Sequence, residues 1–340
     1  MDGNTLFAIL EQKYLYPMNL RFFQFLSLFI AMTFSSCSQQ DDYSDLELIQ
    51  LAEKIGHDLV EITFQNSLPI NNKGGHLQGV QYLSRHERDY YVLSGSSDSY
   101  SYYTIVKLGE ENLVTSTNKI LEKPFKHAGG FQIYENLMAI GIEDNEAKNI
   151  SRVFIYRIDD PNNPPNKPLM IIEREGAVKR ATAGCIGITE IGGKILVVVG
   201  DWDTAHLDFY RIDEDKLGQE GAAFKLDYSI DCQKMDRTGW IDENWLSYQN
   251  INFIKDTSDQ LYLAGMTSNE AEENILDLFK IEIEKPFTPK LKKVYSKNFK
   301  KNTEARFRWG SGIYFGEDKK LRIATCGENI HDLSAIHVYK

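Results

Sequence analysis

The stretch "SRVFIYRI", residues 151–158, decides the fold, because its last five residues are a phrase that the chain repeats. Apolar residues lead into one basic residue, and an aliphatic usually follows. The phrase returns as "TIVKL" ending at Leu108, "DFYRI" ending at Ile212, "DLFKI" ending at Ile281 and "IHVYK" ending at Lys340. Its basic residues are Lys107, Arg157, Arg211, Lys280 and Lys340, and successive ones stand 50 to 69 residues apart. Imperfect repeats of that length have the size of propeller blades.

Around each phrase the order of runs is constant. A first apolar run sits beside a glycine or a small polar residue: "GVQYL", "GFQIY", "CIGIT", "NINFI" and "SGIYF". A turn rich in Asn, Asp, Gly or Lys follows, then a second run: "YYVLSG", "LMAIG", "ILVVVG", "LYLAG" and "LRIATCG". A polar loop leads to the repeated phrase itself. The runs are short, β-branched or aromatic, and bounded by turn residues, so they read as strands. After residue 60 no segment keeps a 3.6-residue apolar period over the ~10–12 residues that a helix needs. A fourth run, such as "LMIIERE" or "KKVYSKNF", precedes repeats two to five. The fifth repeat stops at its third run, and "LVEITFQ", residues 59–65, is available to complete it. The sequence therefore predicts an all-β fold, a five-bladed β-propeller whose N-terminal strand closes the last blade. A six-bladed ring and an open sandwich are the competing arrangements.

Residues 18–37, "MNLRFFQFLSLFIAMTFSSC", read as a secretory leader: one Arg, an apolar stretch too short to span a bilayer, then small residues before Cys37. The end "TFSSC" resembles a bacterial lipobox, with Cys37 as the lipidated first mature residue. The expected organisation is a signal peptide over 1–36 (with 1–17 a start-site extension), a lipidated tether over 37–53, and one propeller domain over 54–340. Export and a lipid anchor to the outer membrane, with the domain facing the periplasm or the surface, follow from that reading. The formal net charge of −11 offers no basic stripe to displace counterions from phosphates, so nucleic acid is excluded as a partner. Beyond Cys37 stand Cys185, Cys232 and Cys326, an odd set at wide spacing, expected as buried thiols rather than a disulfide framework or a zinc site.

Propeller geometry gathers on one face the loops entering each first strand and those joining second to third strands. The entering loops contribute His76, His127, Arg180, Arg308 and Trp309. The second set contributes Asp98, Glu143, Asp144, Asp201, Trp202 and Asp203. Gln132 and Asn250, at the start of first strands, complete the expected ligand-binding residues with His76, Asp98, His127, Asp144, Arg180, Asp201, Trp202, Asp203, Arg308 and Trp309. Cations, carboxylates and indoles at a funnel mouth suit a polar ligand that hydrogen-bonds and stacks, such as a sugar. "GDWDT", residues 200–204, flanks an indole with two carboxylates, although Asp also serves turns by bonding its own backbone. "HAGGFQ", residues 127–132, repeats the outline of "HLQGVQ", residues 76–81, which makes it the opening of a blade. The two histidines fall short of a metal-ligand set. No metal or other cofactor is expected, with a channel cation such as calcium left open.

The phrases "HAGGFQIYENLMAIGIED", "SRVFIYRIDDP", "ILVVVGDWDT" and "LDFYRI" resemble an uncharacterised group of secreted bacterial propeller lipoproteins. The resemblance implies fold and export and carries no catalytic residues. Five-bladed rings are also the architecture of furanose-cleaving glycoside hydrolases and of sugar-binding lectins, an analogy of fold alone. The expected function is binding of a small polar ligand, a carbohydrate, by a monomeric lipoprotein, leaning away from catalysis. One alternative is a glycoside hydrolase or lyase using carboxylates of the same face. The other is a protein-binding scaffold.

Overall fold

Backbone pairing turns the repeated phrases into antiparallel meanders. The computed structural model describes residues 48–300 and 304–340, which belong to the compact unit Asp42–Lys340. The expected leader, its 1–17 extension, Cys37 and the first part of the tether lie outside the described residues. Helix α1 (Leu48–Lys54) buries Leu48, Leu51 and Ala52 against a core that includes Phe299 and Tyr339. Residues 48–53, expected in the tether, are thus part of the folded body, because their apolar residues at helical spacing find a partner surface.

Strand β1 (Leu59–Gln65) precedes the meander β2 (Leu77–Arg85), β3 (Arg88–Ser96), β4 (Tyr100–Lys107) and β5 (Leu113–Glu122). Next come β6 (His127–Tyr134), β7 (Leu137–Glu143), β8 (Ile150–Arg157) and β9 (Met170–Glu175). Then follow β10 (Cys185–Ile191), β11 (Lys194–Gly200), β12 (His206–Asp213) and β13 (Lys225–Asp231). The next meander is β14 (Asn250–Lys255), β15 (Leu261–Ser268), β16 (Asn274–Glu284) and β17 (Thr288–Phe299). The last is β18 (Ser311–Phe315), β19 (Leu321–Cys326) and β20 (Leu333–Tyr339). Within each, consecutive strands pair antiparallel. Strand β1 covers the free edge of β20 in antiparallel register, from Leu59 opposite Tyr339 to Gln65 opposite Leu333. An exposed edge is a template for wrong pairing, and β1 removes it.

The first strands lie inside and touch in turn: β2 against β6, β6 against β10, β10 against β14, β14 against β18, and β18 against β2. The fold is all-β and of propeller type. Backbones approach so closely at this axis that glycine is required. A Cβ on Gly129 would stand 2.3 Å from Gly184 O, and one on Gly130 would stand 2.3 Å from Gln249 O. The apolar core sits between neighbouring meanders, as where Leu196, Val198 and Phe209 pack with Phe253, Leu263 and Phe279.

Buried amides pin the inner strands. Gln132 donates to Phe253 O at 2.7 Å, and its Oε1 accepts from Ile188 N at 2.9 Å and Phe253 N at 2.8 Å. Asn250 donates to Gln78 O at 3.0 Å. Both were expected to meet ligand. The structure instead engages Gln132 at both ends, and Asn250 through its Nδ2, in satisfying backbone groups that the ring's close packing would otherwise strand. The buried Asn250 Oδ1 has no hydrogen-bond partner among the described residues. Arg174 on β9 crosses to Asp208 on β12 at 2.7 Å and also donates to Thr182 O and Arg180 O. Cys185, Cys232 and Cys326 are free, buried thiols.

Candidate functional site

Where the first strands begin, side chains from neighbouring meanders enclose a cavity of about 420 Å³. His76, His127, Asp201, Trp202, Asp203 and Arg308, expected at the mouth, all line it. Glu143, Gln78, Ser247 and Tyr248 line it as well.

Strand register builds its floor. His127 opens β6 and lies directly opposite Glu143, the last residue of β7. In the pleat, opposed residues project to the same side, so imidazole and carboxyl meet. His127 Nε2 is 3.8 Å from Glu143 Oε1, while Oε2 accepts the Ala183 backbone N–H at 2.8 Å. The geometry would allow an ion pair, but burial drives both groups toward neutrality. Glu143 is 1% exposed, and desolvation raises its pKa to about 7, against the lowering effect of the Ala183 bond. His127 is pushed down to about 3, by desolvation first and then by the charges of His76 and Lys126. At neutral pH the floor therefore carries an uncharged imidazole and a carboxyl near the midpoint of its titration.

His76 stands beside this pair, its ring centroid 6.1 Å from that of His127. Its Nδ1 lies 2.9 Å from Leu77 O, and the Gln78 amide nitrogen lies 2.8 Å from that same Nδ1 and 3.1 Å from Nε2, so Gln78 holds the edge of the ring. Trp309 meets His76 edge to face at 5.0 Å and fixes the ring from behind. Trp309 thus buttresses the site and does not line the cavity.

The Asp201–Trp202–Asp203 segment forms one wall. Asp201 accepts the His206 backbone N–H at 2.7 Å on Oδ1 and pairs with His206 Nδ1 at 2.7 Å through Oδ2. Burial raises its pKa against those bonds. Lys148 Nζ lies 3.6 Å from the centre of a Trp202 ring, a cation–π contact that holds the indole. Asp203 and Thr204 are both left-handed, with φ of 61° and 49°, a costly pair for non-glycine residues. The loop ahead of β14 clamps them: Trp245 Nε1 donates to Thr204 O at 2.8 Å, Tyr248 N to Thr204 Oγ1 at 3.0 Å, and Ser247 Oγ to Asp203 O at 3.2 Å.

The remaining expected residues are placed elsewhere. Asp98, in the β3–β4 turn, is bonded by Ser99 and Asn71, which lower its pKa. Asp144 accepts the backbone N–H groups of Glu146 and Ala147 at 2.9 and 3.0 Å and so shapes its own turn. Arg180 grips Asp208 with both terminal nitrogens at 2.5 Å, and it lines a second hollow of about 500 Å³. In the sequence Glu143 is one loop acid among several, and its register opposite a strand-opening histidine is the signal that marks it out.

No family model matches the chain, and no curated protein does. Among solved structures, a xylan β-1,4-xylosidase from Bacillus halodurans is similar at 11% identity and a TM-score of 0.41, over 65% of this chain and 45% of that one. The chain thus spans less than half the length of that xylosidase. The catalytic domain of a GH62 α-L-arabinofuranosidase from Coprinopsis cinerea matches at 10% identity and a TM-score of 0.43, over 81% of this chain and 96% of that one. A GH43_1 enzyme from Xanthomonas citri matches at 9% identity and a TM-score of 0.45, over 84% and 91%. Likenesses this distant assign no activity to the chain.

Proposed function

We propose that the chain is a five-bladed β-propeller whose mouth takes a carbohydrate ligand, with Glu143 as proton donor of a glycoside-cleaving site. Five meanders and a closed succession of first-strand contacts support the blade count. The observation that carries the function is Glu143, a buried carboxyl opening on a polar cavity with a pKa raised to about 7. Such a carboxyl retains a proton near neutrality and can pass it to a departing glycosidic oxygen. Cleavage also needs a second carboxylate. Asp201 has both oxygens committed to His206, so that part falls to Asp203 on the same cavity.

Binding without cleavage is the second reading, the one the sequence favoured. The commitment of Asp201 to His206 supports it, since that leaves one acid fewer for chemistry. Both readings keep the lipid on Cys37, a monomeric domain held at the outer membrane and no built-in cofactor. Mass spectrometry of the mature N-terminus and elemental analysis for calcium test the anchor and the channel cation.

The deciding experiment screens the chain from residue 43 against chromogenic aryl glycosides and a glycan array, alongside Glu143→Gln. Cleavage that the variant loses while still binding glycan supports the hydrolase. Binding with no turnover in the wild type supports the second reading. Silence in both screens overturns both.

A further inference from the structure

Asp201, Trp202, Asp203 and Ser247 line the hollow lying next to the Glu143 cavity as well as that cavity itself. The side away from Glu143 is different in kind. It adds Lys179, Arg180, His206, Gln233 and Trp245.

Its charge is set by how the neighbouring ions are shared. Asp208 receives Arg174 Nη1 at 2.7 Å and both terminal nitrogens of Arg180 at 2.5 Å. One carboxylate therefore serves two guanidiniums, and the Arg180 side chain remains 33% exposed at the hollow. Of the two acids on the shared wall, Asp201 bonds His206 through both oxygens and also stands 3.9 Å from Arg180 Nη1. Asp203 is exposed where the two hollows meet, which leaves Lys179 as the cation to spare. Lys179 has no ion-pair partner among the described residues. Its backbone is fixed, because Lys179 N donates to Lys148 O at 2.6 Å and Lys179 O accepts from Trp202 N at 3.3 Å. The Trp245 indole N–H is used by Thr204 O, so what that residue can offer a ligand is its ring. Cations beside indoles suit an anionic group attached to a flat apolar ring face.

We propose that this second hollow is a subsite for an anionic saccharide, its carboxylate or sulfate ester held by Lys179 and Arg180 and its ring set against Trp202 and Trp245. The proposal rests on the carbohydrate reading of the adjoining cavity and narrows it to acidic sugars. A substrate reaching both hollows would place its acidic residue here and the neighbouring glycosidic bond at Glu143.

Calorimetry, with tryptophan fluorescence as a second readout, tests it using glucuronate, glucose 6-sulfate, glucose and inorganic sulfate on the wild type and Lys179→Gln. The wild type is expected to bind at least one anionic sugar about tenfold more tightly than glucose, a preference that shrinks with added salt and in the variant. The tighter of the two anionic sugars identifies the group. Equal affinity for glucose and both anionic sugars overturns the subsite and leaves the carbohydrate reading standing. A preference unmoved in Lys179→Gln overturns the assignment of Lys179. Inorganic sulfate binding as tightly as the sugar ester overturns the saccharide. No binding of any of the three sugars overturns this subsite, and the glycoside and glycan screens then decide the carbohydrate reading separately.

Discussion

Glu143 and His127 face each other across β7 and β6 at 3.8 Å, and burial keeps the pair from becoming an ion pair. Each is displaced toward its neutral form, the acid upward and the base downward. This shared neutrality gives the cavity floor its chemistry, and it also ties the protein's stability to pH through two opposite limbs.

The Glu143 limb lies on the less acidic side. Its folded pKa of about 7 exceeds the ordinary 4.5, so between those values the folded state holds more proton than the unfolded one. Stability from this group is full below pH 4.5 and falls as pH rises toward 7, by a total of order 3 kcal/mol. Glu143→Gln is expected to flatten that decline in thermal melts recorded across the window. An unchanged slope would place the carboxyl in contact with water.

For His127 the sign reverses. A folded pKa of about 3 against an ordinary 6.5 means that the unfolded state binds the extra proton, so stability is lost as pH falls from 6.5 toward 3. The His127 ring resonances should not titrate above pH 5, and His127→Gln should soften acid unfolding. A titration midpoint near 6.5 by NMR would refute the burial assigned here.

A buried charge cluster links the loop ahead of β14 to β16 and β17. Lys293 Nζ lies 3.0 Å from Asp277 Oδ2 and 2.9 Å from Asp242 Oδ1, and the Tyr248 hydroxyl donates to Asp277 at 2.5 Å. Lys293→Met strands the Asp277 charge in the core and should cost about 3–5 kcal/mol in urea unfolding. Adding Asp277→Asn should recover much of that loss, measured as a double-mutant cycle.

Close approach at the axis makes Gly130→Ala severe, because its Cβ would lie 2.3 Å from Gln249 O. The variant should be insoluble or should melt far below the wild type. A wild-type melting temperature would mean that the inner strands are free to separate.

Closure by β1 is tested by a chain beginning at residue 66. Without β1, the β20 edge from Leu333 to Tyr339 is uncovered. Aggregation or loss of the cooperative transition is expected, while a chain beginning at residue 43 stays monomeric by light scattering.

Most of the strand order was legible in the chain. The basic residues of the repeated phrase fall in or directly after third strands: Lys107 and Arg157 close β4 and β8, Arg211 and Lys280 lie inside β12 and β16, and Lys340 follows β20. The run 59–65 matches β1 residue for residue. These are local signals, since a strand's alternation and its turns are written in neighbouring residues. The site was legible only in part. His76, His127, Asp201, Trp202, Asp203 and Arg308 share one cavity as loop position suggested. Gln132 and Asn250 could not be told from ligand contacts, because an amide facing the axis serves a backbone carbonyl or a sugar equally well. Residues 48–53 read as tether, because seven helical residues give too short a period to recognise without the surface they cover.

The sequence by itself determined that this chain is a succession of short antiparallel strands, with an N-terminal run available to complete the last set. Tertiary structure decided which acids matter. Asp98 and Asp144 are ordinary turn residues, Asp201 is tied to His206, and Glu143 alone among them is buried opposite a neutral histidine. The reason is physical: strand formation depends on nearest neighbours, whereas a carboxyl's protonation depends on the water removed around it. That water is displaced by residues from other meanders, brought together only when the ring closes.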